Sequence, residues 1–576
     1  MTTLRKIAQV VSVLPNKIKI NVYDIQRFKI DSEKFAVGSY LRVSDHEDGA
    51  LLCMIENFSI EKEDEKEDCY ILEAAPIGFI DSSGMFTRGG NNIAIPPTGV
   101  ELARKIEVQK IYDNLEEEKK FCFSKLLQDE TIKIPVDGNK FFNKHIAIMG
   151  STGSGKSHTV SSLLQKAISS RNVEFLGRNN SHIILFDIHS EYQSAFPNAN
   201  FIDVENLKLP YWLMNGDELE ELFVESGENQ SYNQSAILRR IITLNKKVNN
   251  GNHEDITFDT PVKFSIEEVT NCIINLSNET RNAKHPNIIC TKSEDIEFNN
   301  DEIKFNYYFK EILEFKETKN QSVNKGVYND GTLEKFKSRI INKFTDKRLS
   351  FLFGQESENI SFEDTLRQIL GYKKTDESNI TIIDLSGVPF EVLSITVSLI
   401  SRLLFDFSYI YKKIRDIQTE LKAVPLLVVY EEAHKYVPKI RNAKYNSSRN
   451  AIERIAKEGR KYGISAVIVS QRPSEISETI FSQCSNFITM RLTNPEDQSY
   501  VRRLLPDIVG PITDSLSTLR EGEAILIGDA ISMPSLVKID LCNPEPSSKS
   551  IHFLKEWKEP WYELGISEII KEWNKL

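Results

Sequence analysis

His145-Ile-Ala-Ile-Met149 runs directly into Gly150-Ser151-Thr152-Gly153-Ser154-Gly155-Lys156-Ser157. The first stretch is apolar and short, as a buried strand is. The second satisfies G-x-x-x-x-G-K-[ST] at every position. Residues 158–171 follow, with Val160, Leu163, Leu164 and Ile168 at helical spacing. A chance Gly/Ser loop would need neither flank; a phosphate-binding loop needs both. Its glycines let the backbone curl until N–H groups point inward at phosphate oxygens. The first turn of the helix brings its positive dipole end to the same point. Residues 150–157 together with His158 are therefore the expected nucleotide cradle. Lys156 sets a compact charge on the β- and γ-phosphates of ATP, and Ser157 offers its hydroxyl to Mg²⁺.

The chain has 576 residues, too many for one core, so two or more domains are expected. A net charge of −11 argues against a protein coated in nucleic acid. It leaves room for one locally basic surface, such as the inside of a ring. The longest largely apolar stretch, 392–405, is broken by Ser, Thr and Arg402 and is too short to span a bilayer. The N-terminus passes straight into a strand-like pattern, so no signal peptide is expected. The seven cysteines are scattered, without a C-x-x-C pair, which speaks against zinc and for packed thiols in a reducing, cytoplasmic setting.

Residues 1–105 show short strand-like runs at 7–13, 17–23, 36–43, 51–60 and 69–75, with Gly38, Gly49 and Pro76 as turns. This spacing predicts a small β-barrel. The charge run at 61–68 reads as a solvated hairpin tip.

An α/β core is expected over 106–206 and 376–543, interrupted at 207–375 by a helical insertion rich in Lys, Glu and Asn. The strand at 181–186 ends in Asp187-Ile-His-Ser-Glu-Tyr192. Acidic residues at that end of a strand sit where α/β sheets bind ligands. Two readings of Asp187 stand: help for Mg²⁺ or water, together with Glu191, or a cap on the turn. Val424-Pro-Leu-Leu-Val-Val-Tyr430 then ends in Glu431-Glu432. Glu431 is expected to hold the Mg²⁺ shell and Glu432 to polarise the attacking water. Downstream lie Lys435, Lys439, Arg441, Lys444 and Arg449, with no acidic residue before Glu453. That loop is either a solvated basic segment or a grip on a DNA backbone. Gln471, at the tip of the strand 464–470, is placed to report on the γ-phosphate. Arg460 is either a surface helix cation or an arginine supplied in trans to a neighbouring subunit. Residues 545–550 form a linker, and the tail within 544–576 carries enough apolar surface to predict packing on the core or a neighbour.

Gly150–Ser157 taken with Phe186-Asp-Ile-His-Ser-Glu-Tyr192, VVYEEAHKYVP at 428–438 and EGRKYGISAVIVSQRP at 458–473 resembles the HerA-type ATPases of the HerA/FtsK group. The resemblance covers nearly the whole chain and implies a RecA-like P-loop core, a homohexameric ring and ATP-driven movement on double-stranded DNA. It also implies a partner nuclease or sirtuin-like effector, in DNA end processing or phage defence. Lys156 and Ser157 would be the phosphate and Mg²⁺ residues, Glu431 and Glu432 the Walker B pair, and Gln471 the sensor. The arginine finger would fall within 452–462. Ser190 stands where many relatives carry glycine. The competing reading is an assembly platform, in which ATP regulates an effector with little movement. A GTP switch is disfavoured because no N-K-x-D motif follows the core.

Overall fold

The computed structural model describes residues 7–14, 16–28, 36–45, 49–61, 69–89, 97–171, 177–225, 231–318, 322–372, 377–439, 446–504, 513–547 and 551–573. Its first strands are β1 (Ala8–Leu14), β2 (Lys17–Val22), β3 (Tyr40–Asp45), β4 (Gly49–Glu61), β5 (Cys69–Asp81), β6 (Phe86–Arg88) and β7 (Gly99–Leu102). Burial alternates along β2, so one face points inward. The order β2-β1-β7-β3-β4-β5 closes through a β2–β5 pairing, and β6 hangs on β5. Six strands thus form the predicted barrel, which leaves no open edge in that ring. Register shifts at Leu52/Cys53 and Ile55/Asn57 bend β4 and help the closure. Inside lie Val10, Ile18, Ile20, Leu41, Val43 and Leu72, each contributing about 1.5–3 kcal/mol by burial. Glu61 pairs with Cys69, as a hairpin requires; the charged tip at 62–68 lies outside the described residues.

The remaining strands are β8 (Lys120–Leu126), β9 (Lys133–Asp137), β10 (Ile146–Met149), β11 (His182–Asp187), β12 (Asn200–Ile202), β13 (Thr280–Asn282), β14 (Ile288–Cys290), β15 (Asp295–Glu297), β16 (Val323–Lys325), β17 (Ile380–Asp384), β18 (Leu426–Tyr430), β19 (Ile464–Ser470), β20 (Asn486–Met490), β21 (Glu523–Gly528) and β22 (Ser535–Ile539). Eleven of them make one sheet in the order β12-β17-β11-β18-β19-β10-β20-β21-β22-β8-β9. Pairings from β12 through β20 are parallel, and those from β20 onward are antiparallel. β10, β18 and β19 are buried at every residue, as parallel strands covered on both faces must be.

The apolar stretch at 392–405 is the buried half of the helix Phe390–Ile417. The polar residues that interrupt it have partners. Ser401 accepts from Tyr430 Oη at 2.9 Å, and Arg402 meets the buried Glu218 at 3.0 Å. That ion pair ties the core to the helix Gly216–Phe223, the first helix of the insertion. The insertion is mainly helical but also holds β13–β16 as a four-stranded sheet, within a stretch expected to be helical. Strands of three residues are too short to show a period of two. Among the described residues, no helix is long and apolar enough to cross a membrane.

Candidate functional site

Strand order brings the sequence motifs together. β11, β18, β19 and β10 are consecutive neighbours, so residues following each of them share one sheet edge. At β10, Gly150 N donates to Ser470 O at 3.2 Å and Ser151 N to Arg491 O at 2.8 Å. Gly153 and Gly155 have φ of 70° and 96°, in the left-handed region that favours glycine. A Cβ on Gly150 would lie 2.5 Å from Ser154 Oγ, so the loop cannot close over a larger residue. The helix Lys156–Ser169 starts at once, aiming its first amides into the loop. His158 turns away from the loop, its Nδ1 3.3 Å from Cys542 Sγ. Lys156 Nζ donates to Ser151 O at 3.3 Å. Burial lowers the Lys156 pKa, and Glu432, Glu431 and Glu191 oppose the shift. An anionic phosphate arriving there restores what burial costs.

The acidic side is denser than β18 alone predicts. Glu431 and Glu432 are both buried. Tyr192 Oη donates to Glu431 Oε1 at 3.1 Å, and Tyr436 Oη to the Glu431 carbonyl at 2.5 Å. Burial raises the Glu431 pKa well above the usual carboxylate range, reinforced by Asp187, Glu191 and Glu432. Glu432 has φ of 46°, a left-handed conformation costly for a side-chain-bearing residue. Its Oε2 lies 3.2 Å from His434 Nδ1. Among the described residues, Glu431 Oε2 and Glu432 Oε2 are buried without a hydrogen-bond partner. Orphaned carboxylate oxygens beside a serine hydroxyl and a lysine suit a hydrated hard cation and a water. Ser157 and Glu431 would hold Mg²⁺, which when bound offsets charge on the phosphates.

Asp187 is fully buried and accepts from His189 N and Tyr192 N, both at 3.0 Å. Both oxygens serve its own turn, so the capping reading describes its geometry. Glu191 instead faces the P-loop: its Oε2 accepts from Ser157 Oγ at 2.6 Å. Ser190 has φ of 55°, and its hydroxyl donates to Asp384 Oδ2 at 2.5 Å. That bond compensates for a backbone shape that glycine adopts freely.

Gln471 Oε1 accepts from Thr152 Oγ1 at 2.6 Å, which couples the β19 tip to the P-loop. Sequence reasoning missed two braces of the loop. Arg491 donates to Gly153 O at 3.2 Å, and Gly522 N to Ser154 O at 3.1 Å. Neither lies in a motif; only the neighbouring strands β20 and β21 bring them here.

Arg460 lies in the turn Gly459–Tyr462, which leads into the first residue of β19. The P-loop follows the last residue of β10, parallel to β19. Arg460 is therefore exposed at the opposite end of the sheet and does not join its own chain's pocket. Of the basic loop, Lys435 Nζ lies 3.3 Å from His189 Nε2, and Lys439 Nζ pairs with Glu478 at 2.8 Å. Arg441 and Lys444 lie outside the described residues. Arg449 departs from the expectation of a DNA-facing cation. It is 8% exposed, pairs with Glu453 at 2.7 Å and donates to the carbonyls of Pro438 and Lys439. Its guanidinium braces the loop from inside.

Residues 121–404 match the family described as Helicase HerA, central domain. The chain is 28% identical over 486 residues to the DNA double-strand break repair helicase HerA of Sulfurisphaera tokodaii, covering 84% of this chain and 81% of that protein. It is 25% identical over 552 residues to the probable DNA double-strand break repair helicase HerA of Methanocaldococcus jannaschii, covering 91% and 95%. Among solved structures, VirB4 of Thermoanaerobacter pseudethanolicus aligns over 74% of this chain and 98% of its own, with 13% identity and a TM-score of 0.45. With a P-loop, an acidic strand end and a polar strand tip on one edge, and alignments spanning most of both chains, this chain is an ATPase similar along most of its length to the HerA helicases.

Proposed function

We propose that this ATPase assembles as a homohexameric ring, binds ATP with Mg²⁺, and translocates on double-stranded DNA together with a partner nuclease or sirtuin-like effector. DNA end processing or phage defence in the cytoplasm is the proposed setting. One observation carries the motor reading: Lys156, Ser157, Glu431, Glu432 and Gln471 converge on one edge of the sheet, whereas Arg460 sits at the other. A complete pocket with a trans arginine needs a second copy. The tail agrees. Residues 551–571 are exposed, including Trp557 and Trp561, so this chain's own core does not cover them. Apolar surface of that extent calls for a neighbour.

Native mass measurement with and without ATP and duplex DNA tests the ring; a permanent monomer overturns it. Arg460→Ala should leave nucleotide binding intact and lower turnover in the assembled ring about 10³-fold or more, the scale of other trans arginines. Undiminished turnover in that ring removes Arg460 from the role.

The platform reading has one observation in its favour: Arg449 and Lys439 already have acidic partners within the chain. The double variant Lys435→Ala/Lys439→Ala separates the two. For a motor that grips DNA here, the slope of log affinity against log salt becomes shallower by about 0.9 per lost phosphate contact. DNA-stimulated hydrolysis falls with it. A platform keeps both its slope and its effector function.

A further inference from the structure

After β22 the chain does not leave the core directly. Residues 540–547 run back along the helix Lys156–Ser169 and the turn Gln193–Ala195. Asp540 pairs with Lys166, and Cys542 meets His158. Gln165 uses both ends of its amide. Its Oε1 accepts from Asn543 N at 2.9 Å, and its Nε2 donates to Pro544 O at 2.8 Å and Ala195 O at 3.0 Å. Ser194 Oγ donates to Glu545 O at 2.8 Å. Ser547 N donates to Glu191 O at 2.7 Å. The carboxylate of that same Glu191 accepts from Ser157 Oγ. A continuous series of hydrogen bonds therefore links this segment to the P-loop hydroxyl. It ends just before the exposed residues that begin at Ile551.

An acidic side chain beside a Mg²⁺ site works only if its backbone is held. Here the hold is divided. Asp187 fixes the turn from the strand side, through the Tyr192 amide. The returning segment fixes it from the other side, through Ser547 and through Gln165 on Ala195. We propose that residues 540–547 form a strap that seats Glu191 at the Mg²⁺ side of the nucleotide site, with Gln165 as the positioning residue of that strap. The proposal rests on the ATPase reading above. Ion pairs and packing alone would make the strap a mere cover, and the two roles separate experimentally. Mg²⁺ is held by oxygen donors whose orientation outer groups maintain, and losing such a group typically weakens metal affinity about 10- to 100-fold.

The test uses the full chain as wild type, Glu191→Gln and Gln165→Ala, with binding of a fluorescent ATP analogue followed in EDTA and across a Mg²⁺ titration. Gln165→Ala should bind the analogue in EDTA within about twofold of wild type, whereas Glu191→Gln, which loses a negative charge facing the phosphates, is compared with its own EDTA baseline. Both should need about tenfold more Mg²⁺ for half-maximal response. Gln165→Glu keeps the acceptor for Asn543 N and loses the two donors; it should behave like Gln165→Ala and serves if that variant does not fold. An unchanged Mg²⁺ midpoint in all of them overturns the proposal. A shift in Glu191→Gln alone overturns the strap's part in it. If wild type shows no Mg²⁺-dependent nucleotide binding, the ATPase reading itself fails, and that result is distinct from the others.

Discussion

Glu432→Gln should bind ATP as wild type does and turn it over about 10²- to 10⁴-fold more slowly. The substitution keeps size and shape in a buried position whose φ of 46° tolerates little change. What it removes is the negative charge that, in the proposed role, polarises a water for in-line attack. The neighbours sharpen the expectation. Glu432 Oε2 is buried and, among the described residues, without a hydrogen-bond partner, with His434 Nδ1 only 3.2 Å away. A free, oriented carboxylate oxygen is what a water-activating group needs. Phosphate release under single-turnover conditions, paired with a nucleotide-binding measurement, checks both halves. Wild-type release would move the hydrolytic role to another residue.

Lys156→Ala should act one step earlier. Hydrogen bonds to charged groups contribute about 1.5–3 kcal/mol each, so ATP affinity should fall about 10- to 100-fold. The fold should not suffer. Burial already disfavours the Lys156 charge, and among the described residues its ammonium donates to a backbone carbonyl at 3.3 Å. The variant does leave Glu191, Glu431 and Glu432 facing incoming phosphates without a cation among them. Calorimetric titration should therefore show the affinity loss while the melting temperature stays near wild type. Unchanged affinity would remove the phosphate assignment.

Much of the site was legible in one dimension. Residues 150–157 and the apolar run ending at Glu431-Glu432 are contiguous signals. Each carries its own strand, turn and chemistry within about a dozen residues. The barrel was legible for a similar reason, since its strands follow one another with turns between them. The antiparallel strands β8, β9 and β22 gave no such signal; β8 and β9 form a local hairpin, and only the β22–β8 pairing that adds it to the sheet joins segments far apart along the chain. The charge on Arg449 was visible and its burial was not, because burial depends on Glu453 and the Pro438 carbonyl folding around it. In the same way the apolar content of the tail was plain, but not that it stands clear of the core.

Local order of residues thus supplied the groups: a glycine-rich loop, two carboxylates, a polar strand tip. Which groups face one another was left to the packing of the sheet. Placing β19 between β18 and β10 puts Gln471 on Thr152, and placing β20 beside β10 puts Arg491 on the P-loop. The strap that reaches Glu191 arrives from the far end of the chain. Motifs are short-range because backbone geometry makes them so. Strand order is long-range because it is decided by how the whole sheet buries its two apolar faces.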